Sequence, residues 1–430
     1  MSDSSTRRTG VDPFAAEAPA EIAPVREGES LDWERLTAWL RTNLPGLDGD
    51  VSVEQFPNGA ANLTYLVRLG DRELVVRRPP FGALAPGAHD MRREHRVLSR
   101  LWRAFDAAPR AWLFCEDHSV IGCDFFVMER RHGEVVRGVI PETMRAHAGV
   151  GRRIGFALVD AMAELHLLDP AACGLEDLGR PAGFVERQVS GWKHRFDLVR
   201  GPGDHAAMDR VYARLTAAIP SPQRVSIVHN DLKLDNCQFD PVNPDRVRSI
   251  FDWDMATLGD PLVDLGTLLN YWPDPADPIW PDPSDPVGVE SSNPVRPDPV
   301  SPHPRGVSSV DPADGVSLGT SAARPETPAP ESLNRPVAPG FSRAQHPGME
   351  RMGLPTRDEV VTRYAERTGF DCSSAGWYEA FALWKTVVVL VQLHQRWVRG
   401  ESSDPRMEHI AASAPGMVAA ATDILDRQGL

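Results

Sequence analysis

Residues 226–272, SIVHNDLKLDNCQFDPVNPDRVRSIFDWDMATLGDPLVDLGTLLNYW, limit what this chain can become more than any other part of it. Short apolar runs at Ser226–Val228 and Val247–Phe251 read as strands, with Cys237–Phe239 a third candidate. Polar residues crowd the strand ends. His229, Asp231 and Asn236 make H-x-D-x-x-x-x-N, and Asp252 follows directly after Ser-Ile-Phe. A loop between two strands projects Asp231 and Asn236 to one side, and a strand end presents Asp252 opposite them. Phosphoryl transfer needs such a set: one carboxylate to meet the attacking hydroxyl, then an amide oxygen and a second carboxylate to hold Mg²⁺ against the phosphates.

The loop H-N-D-L-K-L-D-N, the following D-W-D and the later G-D-P-x-x-D-L resemble the aminoglycoside phosphotransferase family of small-molecule kinases. The resemblance implies a protein-kinase-like α+β fold in two lobes, a small antiparallel sheet followed by a mainly helical lobe. It implies ATP and Mg²⁺ as cofactors. Asp231 would be the catalytic base, Asn236 and Asp252 the metal ligands, and Lys233 a cation over the transferring phosphate. His229 would hold the loop rather than carry a proton. Asp254 is open between a metal-shell and a hydrogen-bonding role. Asp260-Pro261 reads as a helix start, with Asp264 in the first turn suiting the helix dipole.

Upstream, apolar residues at 33, 36, 39, 40 and 44 predict a helix over Leu31–Leu44. Val51–Phe56 and Leu63–Leu69 read as a strand pair around PNGAAN. That turn is either an Asn-Gly hairpin or a loop whose small residues approach phosphate closely. By resemblance to the family's G-x-S-N-x-T, Gly59, Asn62 and Thr64 belong to the nucleotide loop. The next strand, Glu73–Arg78, departs from the family pattern: Arg77 stands where a lysine contacts the α/β-phosphates. Arginine also binds phosphate, through two donors in a fixed fork. Strand alternation sends Arg77 and Arg78 to opposite faces, with Arg77 expected in the cleft. Glu94, early in a helix over Met91–Arg103, is its expected partner. Strands follow at Ala111–Cys115 and Phe125–Met128. By the same resemblance, Met128, Glu129 and Arg130 would form the lobe junction and offer adenine its edge hydrogen bonds from their backbone.

Helices are predicted over 150–168 and Phe184–Val199. His166 reads as a core histidine, and Trp192 and Arg195 as candidates to face an acceptor pocket. Residues 273–349 are rich in Pro, Asp and Ser and read as a disordered insertion, as 1–28 read as a flexible tail. Thr356 and Glu359 form a capping-box pattern before a helix to Thr368, and a long helix covers Trp377–Val398. The expected organisation is an N-terminal nucleotide lobe over 29–130 and a C-terminal lobe over 131–272 and 350–430.

The 46 Lys and Arg against 60 Asp and Glu give a net charge of −14, which argues against nucleic-acid or anionic-membrane partners. Five scattered cysteines without C-x-x-C suggest reduced thiols in a cytoplasmic protein. The N-terminus lacks an apolar signal segment, and Phe381–Leu393 is too short and too polar to span a bilayer. The expected activity is transfer of the ATP γ-phosphate to a hydroxyl of a small molecule. The R-R-P-P after the third strand resembles the branch related to kinase-like domains fused to acyl-CoA dehydrogenases, so a hydroxyacyl thioester is one acceptor class. Alternatives are a silent nucleotide-binding scaffold and, against the missing A-P-E segment, a protein kinase.

Overall fold

The computed structural model describes residues 21–57, 62–82, 90–201, 203–274, 348–401 and 405–430. The first lobe is a five-stranded antiparallel sheet of β1 (Val51–Gln55), β2 (Leu63–Leu69), β3 (Arg72–Arg78), β4 (Ala111–Cys115) and β5 (Phe125–Glu129), ordered β1-β2-β3-β5-β4. Helix α1 (Trp33–Asn43) covers one face, where Leu36 and Leu40 meet Tyr65, Val67, Leu74, Val76, Phe125 and Val127. Helix α2 (Met91–Leu101) covers the other face and joins Val75, Phe126 and Met128 to the larger core below. The short α3 (His118–Ile121) links β4 to β5.

Alternation along β3 therefore decides where its two arginines go. Arg77 shares the face of Val75, toward α2. Arg78 shares the face of Val76 and packs over the Phe81 ring at 3.9 Å. The sheet register sets Arg77 opposite Thr64 on β2 and Phe126 on β5.

The second lobe holds α4 (Val150–Leu167), α5 (Phe184–Val199), α6 (Ala206–Ala217), α7 (Leu262–Asn270), α8 (Arg357–Thr368), α9 (Ala375–Val398) and α10 (Ala414–Arg427). Two small antiparallel sheets lie at its top: β6 (Glu134–Val135) with β8 (Cys237–Phe239) and β9 (Val247–Ile250), and β7 (Ser226–Val228) with β10 (Thr257–Gly259). Helices α7 and α9 pack backbone to backbone. A Cβ on Gly266 would stand 2.4 Å from the Tyr378 carbonyl oxygen, so only glycine fits there. The capping box at α8 forms, with Thr356 accepting from the Glu359 amide and Glu359 from the Thr356 amide. No helix among the described residues is long and apolar enough to cross a membrane.

Two segment boundaries differ from expectation. Of the tail expected over 1–28, residues 1–20 lie outside the described residues and 21–28 belong to the fold, where Ala23 pairs with Gln55 through both backbone groups, at 2.9 and 2.8 Å. Glu21 forms an ion pair with Arg130 at 2.7 Å and accepts from Gln238 at 3.0 Å. The physical reason is the open edge of β1, which this segment covers. The insertion expected over 273–349 lies outside the described residues from 275 to 347. Its flanks are tied together: Trp272 Nε1 donates to Pro355 O at 2.7 Å and the Arg357 amide to Asp274 at 2.6 Å.

Candidate active site

The loop after β7 carries the site. His229 is fully buried and bonds Phe251 O through Nε2 at 2.7 Å, while its Nδ1 accepts from the Asp231 amide at 3.3 Å. That pairing corresponds to a neutral ring with the proton on Nε2. The ring also packs on Trp253, centroid to centroid 4.7 Å. His229 thus ties the loop to the end of β9, as expected of an architectural residue.

Asn230 takes a left-handed conformation, φ 66°, which turns Asp231 outward. What holds this turn is Asp264, in the first turn of α7. Its Oδ2 accepts from the His229 amide at 2.6 Å and its Oδ1 from the Asn230 amide at 2.7 Å. The His166 Nε2–H donates to Oδ2 at 3.1 Å, and the other His166 nitrogen meets the Tyr364 hydroxyl at 2.7 Å. All three polar groups are buried. Burial opposes the Asp264 charge, but His166 and the loop amide outweigh it and hold the carboxyl below its usual range. The helix-dipole reading of Asp264 and the core reading of His166 therefore understate both residues: together they position the loop. The clue was present in G-D-P-x-x-D-L, whose last acid faces the loop one turn into the helix. Asp260 behaves as a cap, accepting from the Leu262 amide at 2.9 Å, and also receives the Tyr378 hydroxyl at 2.8 Å.

Asp231 opens into a cleft of about 350 Å³ between the lobes, together with Lys233, Asn236, Asp252, Arg77, Glu94, Thr64, Met128, Glu129 and Arg130. Lys233 lies 2.9 Å from the Asp231 carboxylate. Burial works against its charge, but Asp231 and Asp235 outweigh it and push its pKa up. Asn236 turns its Nδ2 toward Asp231, at 2.8 Å from O and 3.0 Å from Oδ2, which directs its Oδ1 the other way. Asp252 also has a left-handed backbone, φ 67°.

Arg77 joins the lobes. Its Nε meets Glu94 at 2.8 Å, one Nη meets Thr64 Oγ1 at 3.3 Å, and the other forms an ion pair with Asp252. Glu94 also accepts from the Trp253 amide at 3.3 Å. Burial pushes the Glu94 carboxyl up, to about 7, against the pull of Arg77 and with the added push of Asp252 and Asp254. Asp254 is raised to about 6 by burial and by Asp252, and it is hydrogen-bonded by Asn62. Gly59 lies outside the described residues.

The lobe junction is narrower than expected as a source of adenine bonds. The Glu129 amide already donates to Arg110 O at 3.0 Å, because β5 continues pairing through that residue. Its carboxylate takes the Arg110 amide at 2.7 Å and Arg131 at 2.7 Å. The Arg130 side chain turns to Glu21 and over the Phe56 ring at 4.9 Å.

A second cleft, about 650 Å³, lies on the other side of the loop. Trp192 and Arg195 line it, beside Asn230, Asp254 and Lys385. Lys385 on α9 belongs to Phe381–Leu393, the stretch judged too polar to span a bilayer. Lys385 is half-buried near Asp231 and Asp264, and desolvation lowers its pKa.

The sequence profile of the phosphotransferase enzyme family (APH) matches residues 52–283, just over half of the chain. Acyl-CoA dehydrogenase family member 11 of Gallus gallus is 34% identical over 257 residues, covering 58% of this chain and 32% of that protein. The probable acyl-CoA dehydrogenase IBR3 of Arabidopsis thaliana is 29% identical over 264 residues, covering 57% and 31%. The chain thus spans about a third of the length of these curated relatives. Among solved structures, a Ralstonia eutropha chain named "putative aminoglycoside phosphotransferase" aligns over 93% of this chain and 99% of its own, with a TM-score of 0.65 and 25% identity. Spectinomycin phosphotransferase APH(9)-Ia, solved with ADP and spectinomycin, aligns over 92% and 98%, with a TM-score of 0.50 and 10% identity, which is a likeness of fold. With its two-lobed kinase-like fold and a profile match that contains the whole loop from His229 to Asp252, the chain belongs to the phosphotransferase enzyme family.

Proposed function

We propose that this chain transfers the γ-phosphate of ATP, bound with Mg²⁺, to a hydroxyl group of a small molecule. The observation that carries the reading is the position of the Asn230–Asp231 turn between two clefts. Asp231 lines the cleft between the lobes, and Asn230 lines the other. A base at that boundary meets a hydroxyl from one side and a phosphate from the other. Val75, Met128 and Ile250 give the first cleft the apolar walls that suit an adenine ring.

The donor set fits Mg²⁺. The Asn236 Oδ1 and the Asp252 carboxylate are hard oxygen ligands in one cleft. Among the described residues no cluster of three or more His, Cys, Asp or Glu could hold a metal by itself. Two protein ligands suit an ion whose remaining positions are filled by phosphate and water. When bound, the ion would neutralise charge between the β- and γ-phosphates. Asp231 would accept the acceptor's proton, Lys233 would offset charge on the transferring group, and Arg77 would face the phosphates while Glu94 holds it.

The relatives named for acyl-CoA dehydrogenases make a hydroxyacyl thioester one acceptor class to test. A panel of hydroxyl compounds with labelled ATP is the assay. Asp231→Asn keeps the shape and removes the base, so turnover should fall by about two to four orders of magnitude with MgATP affinity kept. Near-normal turnover in that variant would remove Asp231 from the role. The second reading, a silent nucleotide-binding scaffold, is favoured by the Arg77–Asp252 ion pair, which engages a proposed metal ligand. It requires ATP binding without consumption whatever the acceptor.

A further inference from the structure

We propose, building on the phosphotransferase reading, that the acceptor is an anion: a hydroxyl compound carrying a carboxylate or phosphate group that Arg187 and Arg195 hold in the second cleft. The whole chain carries −14, yet this cleft gathers Arg93, Arg180, Arg187, Arg195 and Lys385 against Asp177 and Asp254. Both acids are already engaged. Asp177 forms an ion pair with Arg96, and Asp254 is hydrogen-bonded by Asn62 and faces Arg77.

The cations are engaged far less. Arg93 reaches the carbonyls of Leu178 and Ala256, at 3.2 and 3.1 Å, with Asp90 at 3.9 Å. Arg180, Arg187 and Arg195 have no carboxylate partner among the described residues, and Lys385 feels Asp231 and Asp264 without an ion pair to either. Arg187 donates to the Ala182 and Arg180 carbonyls. Arg195 lies over the Trp192 ring at 4.3 Å. Lys385 reaches only the Thr267 hydroxyl, at 3.5 Å. Elsewhere on the surface arginines find acids, as in Arg152–Glu359, Arg153–Asp245 and Arg363–Asp160, each at 2.7 or 2.8 Å. Cations that converge in a concave site without counter-charge raise its potential and draw anions.

The placement suits an acceptor. Phe184, Trp192 and Phe381 wall the cleft, and apolar walls strengthen the attraction by excluding water. Stacking on Trp192 fixes the Arg195 fork, and a fixed fork binds carboxylate or phosphate through two donors. Arg187 and Arg195 stand on α5, whereas Asn230 lines the same cleft beside the proposed base. An anion held on α5 directs the far end of its molecule toward Asp231. A polycationic amino sugar would meet charge of its own sign.

The test is calorimetry on the full chain with MgADP present, using four probes: hydroxyhexanoate, glycerol phosphate, hexanediol and aminohexanol. Hydroxyhexanoate, glycerol phosphate or both should bind, and the diol and the amine should not. Which anion binds decides between carboxylate and phosphate. The double variant Arg187→Ala/Arg195→Ala should weaken anion binding by about tenfold or more, and lysine at both positions should restore part of it. Unchanged MgADP affinity shows that the variants are folded. Equal binding of the diol or the amine, no binding of either anion, or an unaltered double variant would each overturn the proposal. Labelled ATP then separates the two readings. Anion binding that depends on Arg187 and Arg195, without phosphoryl transfer to any hydroxyl, would sink the phosphotransferase reading and leave the anion site standing.

Discussion

Replacing Asp264 by asparagine should disable the catalytic loop from a distance while changing one atom. The carboxylate receives three donors: the His229 amide at 2.6 Å, the Asn230 amide at 2.7 Å and His166 Nε2 at 3.1 Å. An asparagine offers one oxygen. If that oxygen takes the place of Oδ2, the Asn230 amide faces an NH₂ group. If it takes the place of Oδ1, His229 loses its acceptor, and His166 must change tautomer against Tyr364. Either way at least one enclosed amide goes unpaired, at a cost of about 1–3 kcal/mol, and the remaining bonds lose their charge assistance. The sum is about 2–4 kcal/mol, read as a fall in the urea midpoint. A shift of the loop by ~1 Å should also lower turnover on the order of a hundredfold. The acid limb supplies a third readout. Asp264 is depressed in the fold, so its stabilisation is complete above the unfolded pKa of about 4 and is lost as pH falls through the lower folded value. Wild type should therefore lose stability more steeply below about pH 4 than Asp264→Asn does. A variant within about 0.5 kcal/mol of wild type, with the same acid limb and turnover, would show that something else fixes the loop.

Asp252→Asn keeps a residue tolerant of φ 67° and removes the charge, so Mg²⁺-dependent nucleotide binding should be largely lost; unchanged MgATP affinity by calorimetry would rule Asp252 out as a metal ligand. Arg77→Ala and Glu94→Gln should each weaken ATP binding, and the double variant should cost less than the two together, since the side chains meet at 2.8 Å. Strict additivity would mean that they act separately. Replacing residues 275–346 with a short Gly/Ser linker should leave the melting temperature nearly unchanged, because Trp272–Pro355 and Asp274–Arg357 already join the flanks and loop length enters only logarithmically. A large loss of stability would show that the segment packs on the fold.

Much of the fold was legible where one physical signal dominated. The predicted helix at Leu31–Leu44 is Trp33–Asn43, and the predicted strand at Glu73–Arg78 starts one residue earlier. In the helix the apolar period matches the buried face, and in the strand the run Leu74-Val75-Val76 is buried on both faces. Strand alternation separated Arg77 from Arg78, and the family resemblance chose Arg77 for the cleft and Glu94 as its partner. Less was readable where signals were weak. Helices α6 and α10, rich in alanine, were not anticipated. The segment from Glu21 looked like tail because its pairing with Gln55 uses backbone groups, which leave no trace in side-chain pattern.

The loop's support was hidden for a different reason. Asp264 lies 35 positions from His229 and 98 from His166, so none of these contacts belongs to a local pattern. Each residue also had an adequate local explanation. An acid in the first turn of a helix suits its dipole, a histidine on an apolar stripe fits a core, and a lysine in an apolar helix looks like an interruption. What separates these readings is burial. A dipole-stabilising acid on the surface needs no partner, whereas one with no exposure must find donors for both oxygens. Asp264 finds them in the two amides that define the turn and in His166. Lys385 hydrogen-bonds Thr267, forms no ion pair among the described residues, and faces the second cleft. Satisfied polar burial thus marks the residues that fix the proposed base, and the arginines of α5 mark the side from which the proposed acceptor would come.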